Sequence, residues 1–160
     1  MLDIDKGSGM KNGGLNNDIR EKFLKTSAVP VSADEVSRIS GAANATREVF
    51  AHSFPTFGYN AGSVKFLSDS VDAQRHTFPE YDKTRLANLY GAFLGHTILT
   101  LHPQGRWVRY DGDLAILFDN GGRKRLVFPI SRLCRQIEQG NSAAIYPFFL
   151  TIAEFLAATP

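Results

Sequence analysis

The chain of 160 residues is 43% hydrophobic and 21% charged, with a formal charge of +2 and a single cysteine. These values fit one ordinary globular domain and exclude general disorder, a coiled coil and a collagen-like repeat, because the apolar fraction is enough to close a core. Twelve Phe against two Met predict that this core is built from rings.

Residues 1–14 hold four glycines and no apolar run, which reads as a flexible tail and is unlike a secretory signal. The remainder, 15–160, reads as one domain. Residues 17–25 place Ile19, Phe23 and Leu24 at helical spacing, and Val29-Pro30-Val31 then forces extended backbone. Ser32-Ala33-Asp34-Glu35 has the capping-box form and predicts a helix to about Phe50. The aromatic, proline-broken stretch 54–60 reads as a packed loop, and 63–75 as a short helix with Val64, Leu67 and Val71 inward. The clearest helical pattern is 82–101. Ala87, Gly91 and Gly95 make a small-residue ridge on it that would admit close approach of another backbone.

Beyond Gly105 the period changes from helical to alternating. Residues 106–110 and 113–118 flank Asp111-Gly112, a type I′ hairpin signal, and a second turn at 119–122 leads to 123–128. The middle strand is almost wholly apolar, as expected of a strand covered on both faces. Pro129 opens a helix along Ile130, Leu133, Cys134 and Ile137 that stops at Gly140, and Ser142 or Pro147 opens the last helix. The expected architecture is α+β, with five or six helices around a three-stranded antiparallel sheet at 105–128.

Few residues combine into recognisable chemistry. The chain has no HExxH, P-loop, Rossmann glycine fingerprint or GxSxG elbow. His52, His76, His96 and His102 lack metal-ligand spacing, so neither a metal nor a cofactor is expected. A lone cysteine excludes an intrachain disulfide and fits a reducing compartment. Cys134 sits between Arg132 and Arg135 but falls on an apolar helical stripe, which reads as a small core residue rather than a nucleophile. Asp111 and Asp113 are accounted for by turn chemistry. The longest apolar window, 86–101, is interrupted by Asn88, Gly91, Gly95, His96 and Thr100, so no membrane span is expected and the protein reads as soluble and cytoplasmic.

Charge is distributed unevenly. Residues 81–160 carry a net +3, and 105–135 hold seven basic against three acidic residues. If Arg106 and Val108 align with Phe128 and Leu126, Arg106, Arg109, Arg123 and Arg125 share one face of the sheet beside Trp107 as a partner-binding strip. Solvated strand faces give the same pattern without function. An acidic protein partner is favoured over nucleic acid because the overall charge is low.

The series Val64-x-x-Leu67, Leu89-Tyr90-Gly91-Ala92-Phe93-Leu94-Gly95, Gly105-Arg106-Trp107-Val108, Phe128-Pro129-Ile130 and Ile137-x-x-Gly140 resembles small bacterial domains of unknown function. In those domains an LGxxLGE-like helix precedes a tryptophan hairpin and a proline-initiated helix. The resemblance spans about residues 60–140, and His96 stands where similar domains carry an acidic residue. Some similar proteins look like immunity partners encoded beside secreted toxins, which implies a binding role. A rival expectation is a small-molecule site or enzyme with a pocket between the Gly91/Gly95 helix and the sheet, lined by Tyr90, His96 and Trp107. A third is a nucleic-acid accessory domain.

Overall fold

The computed structural model describes residues 19–21, 28–120 and 123–157. The expected tail at 1–14 and the turn glycines Gly121 and Gly122 lie outside them. Five strands run β1 (Ile19–Glu21), β2 (Val29–Pro30), β3 (Arg106–Tyr110), β4 (Asp113–Asn120) and β5 (Arg123–Val127). Five α-helices are α1 (Ala33–Ala51), α2 (Ala61–Gln74), α3 (Lys83–Leu101), α4 (Pro129–Gln139) and α5 (Ile145–Ala157). The class is α+β, as the pattern change at Gly105 requires.

The sheet order is β1-β5-β4-β3-β2, antiparallel throughout. The expected three strands are its centre, and two short strands extend it at both edges. Both additions come from the segment before α1. Val29 and Pro30 pair with Arg109 and Val108, and a proline without an N–H is tolerated at such an edge. Ile19, Arg20 and Glu21 pair with Val127, Leu126 and Arg125, so this part of the expected 17–25 helix is a strand. A short stretch beside an open sheet edge gains more from ladder hydrogen bonds than from a marginal helix.

Local chemistry sets the element ends. The Ser32 side chain accepts from the Glu35 N–H at 3.1 Å to start α1, and Asn60 does the same for Ser63 at 2.8 Å to start α2. In the β3–β4 turn Asp111 (φ 56°) and Gly112 (φ 87°) both take the left-handed conformation that a type I′ hairpin needs. Pro129 opens α4, and Gly140 (φ 78°) closes it.

Helix α3 lies between α1 and α4. Its glycine ridge functions as the sequence suggests. A Cβ on Gly91 would stand 2.6 Å from the Ile130 side chain, and one on Gly95 would stand 2.3 Å from the Trp107 ring. On the α1 side, the Thr46 hydroxyl donates to the Leu89 carbonyl at 3.0 Å, tying the two helices together. The ring-rich core is present: Phe54 stacks on Phe66 and Phe57 on Phe93, each pair with centroids 4.8 Å apart. Stretch 54–60 is thereby a packed loop, with Phe57 buried.

The sheet is apolar on both faces. Trp107, Ile116, Phe118 and Val127 join the main helical core. Val108, Tyr110, Ala115, Leu117, Leu126 and Phe128 form a second cluster on the other side, with Ala28 packed against it. Among the described residues no helix is long and apolar enough to cross a membrane.

Candidate interaction surface

The pleat decides where each strand-borne basic residue points. Register pairs Arg106 with Leu117 and Leu117 with Leu126, while Arg109 opposes Leu114 and Phe118 opposes Arg125. Directly opposed residues share a face and neighbours along a strand alternate. Arg106 and Lys124 therefore belong to the face of Leu117 and Leu126, whereas Arg109, Arg123 and Arg125 belong to the helix-covered face with Trp107. The expected single arginine face does not form. In the meander β4 separates β3 from β5, and Arg106 lines up with Leu126 rather than Phe128.

Trp107, Arg125 and Arg109 of the expected strip have internal roles. Trp107 is 6% exposed, pressed on Gly95. Arg125 is 3% exposed; its Nη1 donates to the Phe155 carbonyl at 2.6 Å and its guanidinium lies 4.5 Å from the Phe155 ring centroid. It thereby satisfies a carbonyl in the last turn of α5 with charge of the favourable sign. Arg109 forms an ion pair with Glu35 and donates to the Gly112 carbonyl at 3.1 Å, joining β3 to α1. Glu35, expected to close the capping box, is instead recruited by this arginine.

Helix α4 holds a polar arrangement that sequence reading missed. Its buried face consists of Pro129, Arg132, Leu133, Gln136 and Ile137, and Cys134 is exposed, contrary to its expected core position. The helix is rotated so that Arg132 and Gln136, four apart, lie inward. Arg132 Nη2 donates to the Ala144 carbonyl at 3.4 Å and its guanidinium lies over the Phe148 ring. Gln136 Nε2 donates to the Ser68 carbonyl at 2.8 Å, and Gln136 Oε1 accepts from the Ile145 N–H at 2.9 Å. One amide thus links α2, α4 and the start of α5. Arg75 Nη1 donates to the Ile137 and Glu138 carbonyls, at 3.2 and 2.9 Å, satisfying the end of α4. These side chains serve backbone groups of their own chain.

The three residues expected to line the rival pocket each pack on a different neighbour. Trp107 of the sheet packs against Gly95 of α3, and Ile130 of α4 packs against Gly91. Tyr90 packs instead on Phe50, with centroids 5.7 Å apart, and His96 on Tyr59, at 4.4 Å. Burial raises the Tyr90 hydroxyl above its ordinary pKa and lowers the imidazoles of His96 and His102 below theirs. Among the described residues no three His, Cys, Asp or Glu side chains gather as a metal site would require.

Basic side chains also reach the surface at the end of the sheet where β3 begins. Strand β3 begins at Arg106 opposite Leu117, so 118–120 of β4 and 123–125 of β5 extend beyond it. Arg106 and Lys124 are exposed there, and Arg123 is partly exposed. Lys124 lies two strands across from Arg106 and two residues further along, a Cα separation of about 12 Å. Lys124 was missing from the expected strip, although its even spacing from Leu126 marks the face it shares with Arg106. No family profile, curated protein or solved structure matches the chain.

Proposed function

We propose that the protein is a cytoplasmic interaction protein that binds and neutralises a protein partner, in the manner of bacterial immunity proteins. The observation that carries this reading is the division of its polar groups. Arg75, Arg125, Arg132 and Gln136 hold the helices to each other and to the sheet. Arg106 and Lys124 project from the surface and enter no ion pair among the described residues. A rigid body whose buried polar side chains are engaged in packing, with Arg106 and Lys124 exposed on one face of its sheet, suits recognition of another macromolecule.

The test is co-expression with the product of the adjacent gene. The expected outcome is rescue of growth that this product alone arrests, together with a complex that survives size-exclusion chromatography. An adjacent product that is harmless, or that forms no complex, contradicts the proposal.

A further inference from the structure

We infer that Tyr81, in the turn that leads into α3, anchors the partner contact and enters an uncharged, apolar pocket on a protein partner. This inference rests on the interaction reading above and names the side chain that holds the complex together.

Three observations support it. The first is exposure. Tyr81 is 87% exposed, more than any other large apolar side chain among the described residues, with Val49 next at 67%. Lying outside a helix or strand does not by itself force a ring outward, since Phe57 is buried in its loop and Phe54 stacks on Phe66. Tyrosine is among the residues that most often dominate the energy of a protein contact.

The second is rigidity at its root. Glu80–Asp82 form a 3₁₀ turn in which the Asp82 N–H donates to the Pro79 carbonyl at 2.9 Å and the Lys83 N–H to the Glu80 carbonyl. The turn runs directly into α3, and Pro79 restricts the backbone before it. A tyrosine held on such a base has few torsions left to fix on binding.

The third is charge, which selects the class of partner. Glu80 pairs with Lys83 at 3.1 Å, and Asp82 accepts from Arg85 Nε at 2.6 Å and Nη2 at 2.9 Å. Each carboxylate beside Tyr81 is therefore matched by a cation. A nucleic acid or an anionic membrane requires unbalanced positive charge, which this neighbourhood lacks. An apolar protein pocket does not, and the paired charges supply the polar rim around the buried ring. The exposed cations of the sheet speed encounter, whereas an inserted ring sets how long the complex lasts.

The experiment titrates the purified product of the adjacent gene, and separately the oligonucleotide dT12, with full-length wild type, Y81A, Y81F and V49A. Thermal melts first confirm that each variant folds. Y81A is expected to bind the product at least about thirtyfold more weakly, through faster dissociation and by the same factor at low and high salt. Y81F, which keeps the ring, is expected to lose less than Y81A, and V49A to bind as wild type does. Equal affinity of Y81A and wild type, or an equal loss in V49A, overturns the inference. A dT12 complex that Y81A weakens also overturns it, because the ring then stacks on bases. Failure of the broader reading is distinguishable: a wild-type complex that Y81A retains removes only this contact, whereas no complex with wild type removes the interaction reading and the contact with it.

Discussion

Replacing Gly95 with alanine isolates the packing of α3 on the sheet. In an open helix the change would stabilise by about 1 kcal/mol. Here the added Cβ would stand 2.3 and 2.4 Å from two Trp107 ring carbons, where carbon atoms normally rest at about 3.5–4.0 Å. Trp107 is buried, so the ring or the whole helix must shift by about 1 Å, and overpacking of this kind costs about 1–3 kcal/mol net. For a chain of this length that lowers the melting temperature by about 2–4 °C per kcal/mol. Gly41→Ala in α1 is the internal control, because nothing lies within 4 Å of its Cβ, and it should stabilise by about 0.5–1 kcal/mol. Circular dichroism melts read both, and emission from Trp107, the sole tryptophan, reports the local change in G95A alone. A G95A variant as stable as wild type, or equal behaviour of the two variants, would refute the argument.

Gln136→Leu removes the bridge among α2, α4 and α5 and leaves the buried Ile145 amide unpaired, so urea denaturation should show a loss of about 2–4 kcal/mol; a loss below about 0.5 kcal/mol would mean that water replaces the amide. Burial holds the His96 and His102 imidazoles below their ordinary pKa, which favours the neutral form in the folded state. Their contribution is present in full above the unfolded value of about 6.5 and is lost as pH falls from there through the lowered folded values. The urea midpoint should therefore fall more steeply with acidification in wild type than in a His96→Gln/His102→Gln variant, and parallel curves would contradict the assignment. Cys134 is exposed, so a thiol reagent should modify it without denaturant, whereas protection until unfolding would restore the core position inferred from sequence.

Much of the fold was legible where one local rule dominates. The Ser32 cap, the Asp111-Gly112 turn, Pro129 at the start of α4 and the period change at Gly105 each act within a few residues, and each appears as expected. The glycine ridge was also legible, because two costly residues four apart need a packing reason. The rotation of α4 was not. Ile130, Leu133, Cys134 and Ile137 make an acceptable apolar stripe, and only the Ala144 and Ser68 carbonyls, brought in from α5's leader and from α2, make burial of Arg132 and Gln136 the better arrangement. The basic strip failed for a related reason. Side-chain parity was available along each strand, but the alignment across three strands depends on β4 standing between β3 and β5. Ile19–Glu21 was misread because its partner strand begins more than a hundred residues away.

The most direct test of the account is a titration of the adjacent gene's purified product with wild-type protein and with R106E/K124E. The account predicts a saturable complex with wild type that weakens about two- to thirtyfold in the variant and more steeply with salt. Absence of any complex with the wild-type chain would contradict it.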